Sequence, residues 1–291
     1  MKSLLASAPG KLVLCGEYAV LEGAPAISVA VNRRARVTQR ETSTAAGIAV
    51  TTAGFEAGTY RYRSIGSGLE PACDQAALPL FESAWAAVCI DSGAGLSIEL
   101  DTAAFFAGRK KLGLGSSAAL TVALVQALAT WRGNASREGV SSRLVHEVLQ
   151  QGRGSGVDVA TSTSGGLIQF QRERECCAPG EYSDRISISD FAWPEGLEAA
   201  VLFSGVAAST PMKLERLDSQ ARHPVSDNLA AAAIAAAAAW QGGARAAVLA
   251  ATADYVSSLA DFSTTYDLDV FGGGHLTLIE LAAKQGLVYK P

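Results

Sequence analysis

The chain has 291 residues, with 24 Lys and Arg against 28 Asp and Glu, for a formal net charge of −4. So small an acidic excess offers no polyanion-binding surface, which excludes nucleic acid as the default partner. With 49% hydrophobic and 18% charged residues and a mean hydropathy of +0.20, the composition excludes disorder and describes a folded protein of one large or two medium domains.

The N-terminal apolar run breaks at Pro9-Gly10-Lys11, too early for a signal peptide, so none is expected. Two strand-rich pieces follow, Lys11 to Cys15 and Pro25 to Gln39, separated by the turn-like Glu22-Gly23-Ala24-Pro25. The second alternates through Ala35 and Val37, and the alternation continues at Ile48 and Val50, the pattern of antiparallel strands with one wet face. Thr42 to Gly58, rich in Thr, Ala and Gly, reads as hairpin and loop. Gln75 to Ile90 has Leu78, Phe81, Ala84, Trp85 and Val88 at helical spacing, and Gly95 to Leu100 alternates as a strand. Ser117 to Trp131 is a buried helix leaving a glycine-serine loop, and Ser141 to Gln151 is a second helix before another. Strands are expected after Gly166 and over Leu197 to Phe203. Three helices close the chain: Asp227 to Gln241 with Ser226 as its cap, Ala244 to Leu259, and His275 to Gln285. The class is α+β.

Five cysteines, an odd number with no C-x-x-C spacing, suit a reducing, cytoplasmic compartment and offer no zinc site. Cys176-Cys177 is assigned to a charged surface turn. The longest apolar stretch, Leu229 to Trp240, falls below the ~20 residues needed to span a bilayer, so no membrane segment is expected. His146, His223 and His275 are scattered and suggest no nucleophilic triad.

Three segments could carry chemistry. Lys111-Leu-Gly-Leu-Gly-Ser-Ser-Ala-Ala119 runs straight into the apolar helix. Gly113 and Gly115 let the backbone turn and approach a ligand, Ser116 and Ser117 add hydroxyls, and the helix start offers unpaired N–H groups with partial positive charge. That combination is a phosphate cradle, or a glycine loop that only caps a helix; the Walker A pattern is missing. Asp158, in Gly154-Ser-Gly-Val-Asp-Val-Ala160, is either a turn residue or a carboxylate held for proton transfer. Lys11 opens an apolar strand, either simply solvated or placed to act on a carboxylate or an anionic substrate.

The order and wording of these segments resemble the GHMP kinases, the family of galactokinase, homoserine kinase, mevalonate kinase and phosphomevalonate kinase. Residues 8–31 resemble its first motif and 111–119 its ATP-binding motif. The strings GEYAVLEGAPA (16–26), GSGVDVA (154–160) and AASTP (207–211) resemble bacterial phosphomevalonate kinases. Tyr18 and Val159 stand where mevalonate kinases tend to have His and Asn.

The resemblance implies a GHMP kinase fold: a mixed α/β N-terminal half, ribosomal protein S5 domain 2-like, over 1–170, and a helix-rich, ferredoxin-like C-terminal half over 171–291. It implies ATP and Mg²⁺ as cofactors. Lys111, Gly113, Leu114, Gly115, Ser116, Ser117 and Ala118 would wrap the ATP phosphates. Asp158 would be the catalytic carboxylate with Lys11 beside it. The Ser117 hydroxyl would reach the metal, and Glu147, eleven residues before Asp158, would join it or be an exposed helix glutamate. Glu17, Tyr18, Ser155, Gly156, Ser209 and Thr210 would meet the acceptor, with Arg153 and Lys213 as candidate cations for an acceptor phosphate.

The implied reaction is phosphorylation of a small molecule, 5-phosphomevalonate first, with mevalonate or another sugar or alcohol as the alternative. A catalytically inactive metabolite- or partner-binding protein is the alternative of another class. A homodimer is an open assembly. His275 to Pro291 resembles the segment leading to the family's third glycine-rich motif. The resemblance therefore implies that the sequence stops just before that motif, as a truncated chain or a degenerate homologue, and that Gly272-Gly-Gly274 is not it.

Overall fold

The computed structural model describes residues 2–43, 47–54, 57–66, 68–72, 76–88, 95–133, 138–150, 152, 154–178, 181–205, 213, 215–217 and 219–291; side chains of 138–141, 173–178 and 181–184 lie outside that description. The chain forms two compact units, 1–12 with 30–165 and 13–29 with 166–291. Strands β1 (Ser3–Cys15) and β2 (Ala26–Thr42) pair with each other and each supply residues to both units.

In the first unit the period-2 pattern does what it should. Ala35, Val37 and Gln39 of β2 are fully buried while Arg34, Arg36 and Arg40 are exposed. Residues Arg36–Thr42 pair antiparallel with β6 (Gly95–Asp101), where Leu96, Ile98 and Leu100 are the buried set. β6 pairs in parallel with β3 (Gly47–Ala53), and β3 continues antiparallel through β4 (Gly58–Ile65) to β5 (Gly68–Pro71). The span expected as hairpin and loop thus holds a full strand, because Ile48, Val50 and Thr52 bury one face of it.

Helix α1 (Pro79–Val88) buries Phe81, Ala84, Trp85 and Val88 and begins at its proline, later than Gln75. A small hairpin, β7 (Phe106–Ala107) and β8 (Lys110–Lys111), leads into α2 (Ser116–Arg132). α2 is buried on nearly every side, from Ala118 to Ala129, and is closed by left-handed Gly115 and Gly133. α3 (Glu138–Leu149) and α4 (Val157–Ser164) pack against it. Asp158, placed by the sequence in a glycine-flanked turn, lies in the first turn of α4.

In the second unit, residues 26–29 of β2 pair with β9 (Leu167–Ala178), which forms a long antiparallel ribbon with β10 (Glu181–Phe191). Cys176 and Cys177 are therefore strand residues and not a turn, because the β9 ladder runs past them. Residues 197–203, expected as a strand, have no regular structure. They find no partner strand among the described residues, and Val201, Leu202 and Phe203 are exposed.

Helix α5 (Val225–Gly242) buries Val225, Leu229, Ala233, Ala236 and Trp240 along one stripe, and its alanines admit α6 (Arg245–Thr265) closely. Pro224, not Ser226, holds the N-cap position; the Ser226 hydroxyl instead meets the Tyr266 hydroxyl at 3.1 Å. Gly274 precedes α7 (His275–Lys284) in the left-handed region. No helix among the described residues is long and apolar enough to cross a membrane.

One junction positions everything that follows. The Lys11 N–H donates to the Leu114 carbonyl at 2.9 Å, tying β1 to the loop before α2. The approach is tight: a methyl group built on Gly10 would lie 2.4 Å from the Leu114 oxygen and 2.5 Å from Phe105 Cε1. Gly10→Ala should therefore lower stability by about 1–3 kcal/mol through overpacking. Gly47→Ala, with nothing within 4 Å and no positive φ, should stay within about 0.5 kcal/mol of the parent. Urea denaturation of both variants checks the contrast.

Cys15, fully buried, has its thiol pushed up to about 12, by burial first and then by the Glu17 charge, against the Ile27 backbone hydrogen bond and the Lys290 charge. The fold favours the neutral thiol, so its contribution is complete below the ordinary value of 9.0 and is lost as pH rises from there toward about 12. Alkylation of the native protein below pH 9 should leave Cys15 unlabelled, and the same reagent in urea should label it.

Candidate functional site

The loop between β8 and α2 holds Gly113 at φ +77° and Gly115 at φ +73°, both in the left-handed region that favours glycine. α2 begins without a side-chain cap. Its first-turn N–H groups and the dipole of a 17-residue helix therefore stand at the end of a glycine loop, the arrangement that favours an anion. Ser116 is buried and Ser117 exposed, and the Ser117 carbonyl accepts the Thr121 hydroxyl at 2.9 Å. Nothing lies within 4 Å of a methyl built on Gly113, so that side of the loop is open. Lys111, on β8, is exposed.

A methyl on Gly115 would sit 3.0 Å from Lys11 Cγ and 3.2 Å from its Cε, so the lysine stem lies along the loop. Both the backbone conformation and this contact require glycine at 115. In the same unit, Asp158 is half-buried, and its Oδ1 accepts the Val159 N–H at 3.1 Å. Gly156, at φ +87°, opens α4, and the Ser155 hydroxyl accepts the Val157 N–H at 3.3 Å, so Ser155 organises the start of the helix that carries Asp158.

His146, dismissed in the sequence as scattered, belongs with this group. It is 2% exposed, its Nε2 has no hydrogen-bond partner, and its pKa is lowered by burial first. The Asp158 charge opposes that shift and the Lys11 charge adds to it, so the ring lies within electrostatic reach of both. Its position on α3, twelve residues before Asp158, is a signal that only the packing of α3 on α4 makes legible. The neighbouring Glu147 is 100° further round the helix and pairs with Arg143 at 3.5 Å.

A cavity of about 340 Å³ opens in this unit between Ser7, Pro9, Arg34, Gln126, Ser162 and Gly165. It contains no residue of the glycine loop; Ser162 stands one turn beyond Asp158 on α4.

In the second unit, Tyr18 has φ +62° and ψ −48°, and the Ala19 N–H closes on the Glu17 carbonyl at 2.8 Å. This is a γ-turn of the rare, strained sign. Glu17 and Tyr18 lead into a short 3₁₀ turn, Ala19–Glu22. Lys213 Nζ donates to the Asp269 carbonyl at 3.4 Å, and burial lowers its pKa. Ser209, Thr210 and Arg153 lie outside the described residues.

The donor set suits the two groups that the sequence implies. The open, positively polarised loop and Lys11 suit a nucleotide phosphate chain. Among the described residues no three His, Cys, Asp or Glu form a metal group. Mg²⁺ bound to phosphates commonly needs only one or two protein oxygens; of the two that the sequence implies, Ser117 lies in the first turn of α2 and Glu147 is paired with Arg143.

Residues 79–166 match the GHMP kinases N terminal domain. The mevalonate kinase of Methanothermobacter thermautotrophicus is 36% identical over 177 residues, covering 58% of this chain and 50% of that protein. The phosphomevalonate kinase of a Streptomyces species is 33% identical over 187 residues, covering 58% and 50%. The chain spans about half the length of these curated relatives. The solved phosphomevalonate kinase of Streptococcus pneumoniae, in complex with phosphomevalonate and AMPPNP, superposes with a TM-score of 0.67 at 18% identity, over 91% of this chain and 81% of that one. That likeness speaks for the fold. Residues 79–166 are thus similar to the N-terminal domain of the GHMP kinases, and the chain shares the fold of a solved phosphomevalonate kinase.

Proposed function

We propose that this chain is an ATP-dependent phosphotransferase that moves the γ-phosphoryl group of ATP to 5-phosphomevalonate, giving ADP and 5-diphosphomevalonate. The observation that carries the reading is the Lys11 stem laid along left-handed Gly115, at the uncapped start of α2, in the unit that also holds Asp158. Mevalonate is the second acceptor to carry forward, because a relative of comparable identity is a mevalonate kinase.

Phosphoryl transfer asks the protein for position and charge neutralisation more than for covalent chemistry. In this reading Gly113 to Ala118 receive the phosphate chain with backbone N–H groups, and Lys111 adds charge at the rim. An acceptor oxygen forms the new bond to the γ-phosphorus while the bond to the bridging oxygen breaks and leaves with ADP. A bound Mg²⁺, held by Ser117 and Glu147, would neutralise phosphate charge; for Glu147 that means leaving Arg143.

The acceptor decides how much Asp158 has to do. A phosphate monoester has its second pKa near 6 and is already mostly ionised at neutral pH, so Asp158 then orients it and takes the residual proton. A hydroxyl acceptor keeps its proton until the transfer and needs Asp158 as a base. Lys11 opposes the charge of the carboxylate and of the transferring group in both cases. By their motifs, Tyr18, Ser155, Gly156, Ser209 and Thr210 are assigned to the acceptor.

A coupled ADP-release assay with 5-phosphomevalonate, mevalonate and a panel of sugars tests the reading. Release should depend on 5-phosphomevalonate. Silence with every acceptor, despite measurable ATP binding, would leave a metabolite-binding member of the family in its place. Asp158→Asn should lower kcat by about 10²–10⁴, and Lys11→Met by about 10²–10³, with both variants folded by circular dichroism. Near-normal turnover in a folded Asp158→Asn protein would remove Asp158 from its assigned role.

A further inference from the structure

The turn that carries Tyr18 is held by an arrangement that the proposed reaction does not use. Both oxygens of the Glu17 carboxylate already take a donor within the second unit. Oε2 accepts the Tyr255 hydroxyl at 2.9 Å, and Oε1 pairs with Lys290 Nζ. The same Tyr255 hydroxyl also reaches the Glu17 main-chain oxygen at 2.9 Å, the oxygen that closes the γ-turn with Ala19. Tyr255 is fully buried on α6, and the side chains of Lys290 and Glu17 are only 17% and 21% exposed. An ion pair this far out of water is held by its hydrogen-bond geometry and is costly to break on one side.

The two partners come from separate anchors. Tyr255 belongs to the α5–α6 core. Lys290 follows Tyr289, whose hydroxyl meets His275 Nδ1 at 2.7 Å while the two rings stack at 5.8 Å, tying the segment after α7 back to that helix. On the other side of the turn, Gly16 (φ +94°) is pressed against β2, where an added methyl would lie 2.4 Å from the Pro25 oxygen. The Tyr18 ring rests on Phe262 at 5.5 Å. A strained backbone persists only where its surroundings over-determine it, and here they do so from three directions.

We propose that Glu17, Tyr255 and Lys290 form a clamp that holds Tyr18 in its strained turn, which makes Glu17 a residue that positions Tyr18 for the acceptor. This rests on the reading that Tyr18 meets the acceptor. It revises the sequence expectation for Glu17, whose carboxylate is committed to the protein itself. Lys290 and Tyr255 become positioning residues that no motif points to.

Two readouts test it, one of them independent of turnover. Lys290→Met and Tyr255→Phe should each speed amide hydrogen exchange of residues 19–24 by about tenfold or more, with exchange in α2 unchanged. In the acceptor-dependent assay the same variants should raise the KM for the acceptor by about tenfold, with kcat and the KM for ATP within about twofold of the parent. Lys290→Arg, which keeps the charge, should restore both. Unchanged exchange over 19–24 in both variants would overturn the clamp. Faster exchange with an unaltered acceptor KM would overturn the role of Tyr18. A parent protein without acceptor-dependent turnover would count against the kinase reading alone, and the exchange result would still decide the clamp.

Discussion

The hydrogen bond from the Lys11 N–H to the Leu114 carbonyl is the contact on which the first unit's candidate chemistry depends. It brings a strand and a helix-opening loop so close that neither Gly10 nor Gly115 has room for a side chain. Glycine at these positions serves steric contact as much as flexibility. The lysine that opens an apolar strand is thereby laid along the loop that precedes α2. A backbone bond fixes the place of a side-chain charge, which is how preorganisation is achieved without using the charge itself.

α2 adds to that junction an uncapped helix start, whose free N–H groups favour an anion. Its buried face has no preferred side, so the helix is gripped by the unit's core from Ala118 to Ala129 and its start cannot drift. α4 and α3 pack on it and bring Asp158 and His146 into the same unit as Lys11. Burial lowers the pKa of His146, and its buried Nε2 has no hydrogen-bond partner. Such groups are uncommon in folded proteins and concentrate where a site needs a fixed dipole.

Much of this was legible in the sequence, for definite reasons. The alternation of Leu96, Ile98 and Leu100 and the 3.6-residue spacing of Phe81, Trp85 and Val88 report directly on burial; the strand formed where expected and the helix within the expected span, from Pro79. The glycines of the loop were legible because the left-handed turns found at Gly113 and Gly115 favour that residue type whatever the loop binds. The strand expected over 197–203 failed because apolar content cannot show whether a neighbouring strand exists to accept its hydrogen bonds. The cysteine pair failed because a charged, turn-like composition also suits a two-stranded ribbon. Ser226 was a sound cap by residue type, but Pro224 starts the helix earlier and the serine turns inward to Tyr266. The Glu17–Lys290–Tyr255 group spans more than two hundred residues of chain, a separation across which no local pattern speaks.

The proposed activity is transfer of a phosphoryl group to an acceptor that already carries a phosphate, in the unit that holds Lys11, Gly115 and Asp158. Phosphorus NMR of ATP mixed with 5-phosphomevalonate and the protein tests it most directly, because it observes the bond formed. The account predicts that the monoester signal is replaced by the coupled pair of a diphosphate as ADP accumulates. An ATP spectrum that stays unchanged with 5-phosphomevalonate, while the nucleotide is demonstrably bound, would contradict it.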